Sequence, residues 1–214
     1  MAAVKSGHVR EAKRLFAGTR APYETIEPVA ESFGGLDPAI DARVNDVAKG
    51  DPWTGFHRIE QALWVKSSTN GMSKVADKLL DDVKRLSKFT NGLKYQPEEL
   101  ANGANGLLDE VSASKITGEE DRYSHTDLTD FEANVAGSET TFGLLAPALR
   151  ASDEALATRI ARRFDAVNSE LDRLKVDGRY PSYDTVGQAQ RRKLSQLVDA
   201  LAEPLSQVAS NLNG

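Results

Sequence analysis

Residues 51–64 read DPWTGFHRIEQALW, and the spacing within them sets the fold class. Phe56, Leu63 and Trp64 recur at helical intervals, which predicts a helix over about 54–65 that the following SSTNG ends. On a helical wheel His57 and Glu60 project from the same apolar half, beside Trp64, while Arg58, Gln61 and Val65 lie opposite. A carboxylate on such a face is costly unless it is paired or bound to a cation. The i, i+3 spacing lets imidazole and carboxylate converge on one point. The pair is therefore either a satisfied polar contact inside a packed core or half of a metal site.

The same periodicity runs outward in both directions, and no segment alternates as a strand would, so the chain is expected to be all-α. Upstream, Val9, Ala12, Phe16, Thr19, Tyr23, Ile26, Ala30 and Phe33 form one stripe. Pro22 and Pro28 predict a break near 18–21 or a kink, and Gly34-Gly35 predicts a stop. The stretch LDPAIDARVNDVAKGDPW is turn-rich, with room for a short helix at most. Downstream, helices are predicted over about 73–89 and from Pro97 to about 114, the latter weakened by Gly103 and Gly106. Two more run from Thr126 or Asp127 to about 149, and from a Ser152 cap through Leu174. A final helix carries Leu194, Leu197, Leu201, Leu205, Val208 and Leu212, with a kink expected at Pro204. Without an internal repeat or a long linker, residues 1–214 are expected to form one helical-bundle domain.

The helix over 73–89 repeats the anomaly, because Asp82 falls within the stripe of Val75, Leu79, Leu86 and Phe89. A short turn joins it to the preceding helix, so the two apolar faces should meet and could bring His57, Glu60 and Asp82 together. A third polar cluster, GEEDRYSHTD at 118–127, holds Glu119, Glu120, His125 and Asp127 just before a helix. It is either a solvated loop with a helix cap, or a loop that folds onto the site and supplies further ligands. Imidazole with carboxylates and no thiolate suits iron, zinc or copper. Affinity for such an ion should fall as pH drops through the ordinary imidazole range near ~6.5.

Composition removes several alternatives. With a net charge of −5 the chain lacks the basic excess that phosphate neutralisation needs, so no nucleic-acid partner is expected. The absence of cysteine excludes disulfides, thiolate metal sites and cysteine nucleophiles. No stretch approaches the ~20 apolar residues of a membrane span, and residues 1–16 lack the apolar core of a signal peptide. One HxxE is not the HExxH of a zinc peptidase, because no second histidine follows at i+4. Trp53, Trp64, Tyr180 and Tyr183 could stack on sugars or simply pack.

GFHRIEQALW resembles the GxHxxE signature of the imelysin-like family, in the version found in EfeO-type components of bacterial iron uptake. LFAGTRAPYETIEPVAESFGGLDPAIDAR, SKITGEEDRYSHTDLTDFEANVAGS and SYDTVGQAQRRKLSQLVDALAEPL are similar to that family too, so the resemblance covers nearly the whole chain. It implies two packed four-helix bundles in one domain, and His57 and Glu60 as metal ligands. Asp82 matches an acidic position of the following helix, and Glu120, His125 and Asp127 match the block before the next one. The implied protein is a periplasmic or otherwise extracytoplasmic monomer that binds an iron ion, with zinc or copper as substitutes in vitro. Its implied partners are a membrane iron permease and a haem peroxidase-like protein. Longer relatives add an N-terminal cupredoxin-like domain, for which this chain has no room; it is expected to be a short member or an excised C-terminal domain, its signal peptide removed or truncated. Relatives described as alginate-binding proteins or as peptidases leave a polysaccharide-binding protein with a bridging metal, and a metallopeptidase, as alternatives to the non-enzymatic carrier.

Overall fold

The computed structural model describes residues 1–212 and is all-α: among them no strand occurs, only an isolated bridge between Val176 and Arg179. None of these helices is long and apolar enough to cross a membrane. The chain divides into two compact units. The first comprises Met1–Arg20, Ala30–Lys94 and Glu120–Ser124. The second comprises Ala21–Val29, Tyr95–Glu119 and the chain from His125 onward.

The first unit contains α1 (Ala2–Lys5), the opening turns of α2 (Val9–Ile26), α3 (Leu36–Asp41), α4 (Gly55–Trp64) and α5 (Ser73–Thr90). α2 buries Ala12 and Phe16, and Phe16 packs edge-on against Phe56 and Trp64 of α4. The next buried position, four residues on, is Arg20 rather than Thr19, so the stripe turns to carry a charge inward. α4 buries Phe56, Ile59, Ala62 and Leu63 together with His57 and Glu60, as its wheel predicts. Trp53 and Trp64 are engaged in packing. The Trp53 indole donates to the Ala42 carbonyl at 2.7 Å, and Lys13 stands over the Trp64 ring.

α2 does not break at 18–21. Pro22 leaves the Gly18 carbonyl without an intrahelical donor, and Gly18 is exposed, so water can supply one. Pro147 stands in the same relation to exposed Gly143 inside α7 (Asp127–Ser152). The helical run does tighten after Ile26 into 3-10 turns over Glu27–Phe33 before the glycines. Pro28 cannot donate to the Glu24 carbonyl, and the Asn134 side chain does so instead at 3.0 Å.

The second unit is a four-helix bundle in which α6 (Pro97–Ala113), α7, α8 (Glu154–Leu174) and α9 (Gln188–Leu205) each contact two neighbours in a ring. Its core includes Leu108, Leu128, Leu149, Ile160, Phe164, Val167 and Leu201. Residues 21–29 lie against α6 and α7 by way of two glycines. A Cβ at Gly103 would fall on the Pro28 carbonyl, and one at Gly137 on the Thr25 carbonyl. Gly103 thus permits a close backbone approach that outweighs its weakening of the helix. Buried Lys115 ties this corner by ion pairs to Glu24 at 3.1 Å and Glu27 at 2.7 Å.

Two boundaries differ from expectation for local reasons. Asp153, not Ser152, caps α8, accepting from the Leu156 amide at 2.8 Å, while Ser152 ends α7. Pro204 closes α9 rather than kinking a longer helix, and the chain resumes as α10 (Val208–Leu212). Tyr183, a candidate sugar platform by sequence, is buried against Phe131 and donates to the Ile116 carbonyl at 2.6 Å.

Candidate metal centre

The glycine of GFHRIE fixes where α4 starts. Gly55 has φ +85°, and a Cβ there would collide with the Ile40 carbonyl. Thr54 Oγ1 donates to the Ala39 carbonyl at 2.9 Å, and Trp53 to that of Ala42. Residues 53–55 are thereby laced to the C-terminal end of α3, whose last residue is Asp41. That lacing brings the Asp41 carboxylate beside the first turn of α4 and hence beside His57.

The His57 ring is buried, and each of its nitrogens meets acid. Nδ1 lies 2.9 Å from Glu60 Oε2 and 4.0 Å from Asp121 Oδ1. Nε2 lies 3.4 Å from Glu120 Oε1 and 3.7 Å from Asp41 Oδ1, and makes no hydrogen bond of its own. Two sets of side chains among the described residues could therefore hold an ion: Asp41, His57 and Glu120, and His57, Glu60 and Asp121. Glu60 is heavily used, since its Oε1 accepts from the Tyr123 amide at 3.0 Å, the Ser124 amide at 2.8 Å and Ser124 Oγ at 2.9 Å.

Two arginines balance part of this charge. Arg20, wholly buried, donates to Asp41 Oδ1, reaches Glu120 Oε1 at 2.7 Å and lies 3.6 Å from Asp121. Arg43 bridges Glu120 Oε2 at 3.2 Å and Asp46 at 3.1 Å. Burial and the Arg20 charge push the His57 imidazole down, but the carboxylates of Glu120, Glu60 and Asp41 outweigh both and raise it to about 9. Burial alone would raise the Glu60 carboxyl, yet the His57 contact and the Ser124 donors hold it below its usual value. The ordinary imidazole range is thus the wrong reference for His57; without an ion it is protonated at neutral pH.

The structure brings together three of the sequence candidates: His57, Glu60 and Glu120. Asp82 is buried on α5, as its stripe requires, but pairs with Lys78 at 2.5 Å and Arg85 at 3.1 Å of its own helix and belongs to neither set. His125, half-buried with φ +56°, offers its carbonyl to the Tyr183 amide at 2.9 Å and is in neither set. Asp127 opens α7, buried, and Glu119 is exposed. Sequence reading passed over Asp41, Asp121 and Arg20. The signal for Arg20 was its position four residues beyond Phe16. Asp121 adjoins Glu120 in the acidic block, and Asp41 follows buried Ile40.

The chain is 44% identical over 214 residues to the iron uptake system component EfeM of Pseudomonas syringae pv. syringae, covering 98% of this chain and 75% of that protein. It is 44% identical over 209 residues to the iron uptake system component EfeO of Escherichia coli K12, and 44% over 208 residues to the EfeM component of Bacillus subtilis. It spans 56% and 54% of those two proteins, about half of each. The imelysin family model matches residues 1–208. With the GxHxxE geometry of α4 and a match over almost its full length, this chain belongs to the imelysin family.

Proposed function

We propose that this protein is an extracytoplasmic carrier that binds iron at His57 and its surrounding carboxylates and delivers it to a membrane permease. The observation that carries the reading is His57, buried with both ring nitrogens facing carboxylates. Release of the His57 proton removes one positive charge from a cluster of four carboxylates, Asp41, Glu60, Glu120 and Asp121, which Arg20 and Arg43 face, the latter shared with Asp46. A di- or trivalent cation replaces that charge. The donor set, imidazole with carboxylates, suits iron, and zinc can substitute. The names of the relatives, iron uptake system components, support the same assignment.

A peptidase would need a free general base beside an activated water and a group to receive the developing oxyanion. The acid of HxxE is committed to His57, Tyr123 and Ser124, and no second histidine adjoins it. We assign no hydrolytic activity. The partners of this reading are a membrane iron permease and a haem peroxidase-like protein.

Titration with iron and with zinc tests the reading, using His57→Ala as the control. Binding that weakens at least ~10-fold in His57→Ala supports it. Unchanged binding in that variant, or metal-dependent cleavage of casein by the wild type, overturns it.

A further inference from the structure

We propose that Glu60 is a positioning residue and not an ion ligand: it holds His57 through Nδ1, so that Nε2, with the Asp41 and Glu120 carboxylates, takes the ion. The inference rests on the carrier reading above and divides the signature's two polar residues into different roles.

Both Glu60 oxygens are engaged. Oε2 faces His57 Nδ1 at 2.9 Å, and Oε1 already accepts three hydrogen bonds, two of them from the backbone amides of Tyr123 and Ser124. A carboxylate oxygen offers about two lone-pair sites. An ion taken by Oε1 would leave amides of residues 123 and 124 without an acceptor, and one taken by Oε2 would have to share that oxygen with the His57 Nδ1 contact. Asp121, the third member of that set, stands 4.0 Å from Nδ1, farther than either Asp41 or Glu120 stands from Nε2.

On the other side of the ring the competing donor is a side chain, the Arg20 guanidinium, which donates to Asp41 Oδ1 and Glu120 Oε1. Nε2 is buried, makes no hydrogen bond, and has an oxygen of Glu120 and one of Asp41 within 3.7 Å. An imidazole whose second nitrogen donates to a carboxylate is held in one tautomer and orientation, and its free nitrogen becomes the more basic donor. Glu60 is placed to do this for His57. Its link to residues 123 and 124 also anchors the segment carrying Glu120, so one side chain orients the imidazole and the loop that supplies a ligand.

Zinc is a diamagnetic probe of which nitrogen is used. In protein labelled with 15N-histidine, the chain's three histidines are distinguished by His8→Gln and His125→Gln variants. Long-range proton–nitrogen spectra are then recorded with and without Zn2+. The expected result is a metal-shifted Nε2 of His57 with Nδ1 still protonated. A metal-shifted Nδ1 with protonated Nε2 overturns the inference and leaves the carrier reading standing. No zinc-dependent change at His57 overturns both. Glu60→Gln should weaken zinc binding by about 10- to 100-fold with Nε2 still bound. The Asp41→Asn, Glu120→Gln double variant should lose more. Equal losses in the two proteins would mark Glu60 as a ligand.

Discussion

Arg20 and His57 face the same two oxygen atoms. Asp41 Oδ1 and Glu120 Oε1 each accept from the Arg20 guanidinium, and each lies within 3.7 Å of His57 Nε2. An ion bound at these two oxygens would compete with a cation the protein already carries.

Replacing Arg20 by Met tests that competition. Breaking a buried ion pair by removing one partner costs about 3–5 kcal/mol, because the remaining charges lose compensation. Arg20→Met should lower the stability of the metal-free protein by that order. Zinc should restore more stability to the variant than it adds to the wild type, as read by thermal unfolding with zinc or with chelator. Equal zinc-induced shifts in the two proteins would show that Arg20 and the ion do not share oxygens.

Metal binding should release a proton. With His57 raised to about 9, the ion must displace its proton throughout the neutral range. Apparent zinc affinity is expected to rise by about tenfold per pH unit between 7 and 8.5, following one displaced proton, and to level off above about 9. Calorimetry in buffers of different ionisation enthalpy should give about one proton released per ion at pH 7.5. An affinity independent of pH in this window would mean that His57 is not displaced.

The metal-free protein should show the matching stability profile. A histidine raised from 6.5 to about 9 contributes stability that is fully present below pH 6.5 and lost as pH rises towards 9, about 3 kcal/mol in all. Glu60 works in the opposite sense, its contribution present above its ordinary value of 4.5 and lost on acidification. Urea unfolding with chelator should therefore place the maximum between these two limits. The loss between pH 6.5 and 9 should vanish in His57→Gln.

Two glycines of α6, three residues apart, should respond in opposite directions to alanine. Gly103→Ala forces a methyl group onto the Pro28 carbonyl and should cost about 1–3 kcal/mol. Gly106 is exposed with open space around it, so Gly106→Ala should stabilise by up to about 1 kcal/mol through helix propensity alone. Chemical denaturation of the two variants measures both.

His57 and Glu60 were legible because each is a polar residue on an apolar stripe, and a periodic pattern makes such exceptions visible. Glu120 was legible as part of an acidic block before a helix. Asp41 ends a short helix in a turn-rich stretch, where there is no periodicity to violate, and Gly55 explains its placement only once the Ile40 carbonyl is seen against it. Arg20 was hidden because Thr19, at i+3 from Phe16, fits the apolar stripe better than a guanidinium at i+4. Asp82 shows the reverse limit. Its burial follows from the stripe, but one-turn neighbours Lys78 and Arg85 reach back over it, and periodicity says nothing of where long side chains bend. The long helices were readable, though α1 and a separate α10 were not; the ends moved with prolines and a cap, which depend on single atoms.

Glu60 binds donors from residues 63 and 64 positions later in the chain, and Glu120–Ser124 joins the first unit between two stretches of the second. During synthesis, α4 can coil as soon as it emerges, yet its imidazole has neither its full complement of acids nor a secured orientation until the ribosome has passed Ser124. A nascent chain that ends before Glu120 lacks two of the four carboxylates around His57 and the Tyr123 and Ser124 amides that engage Glu60.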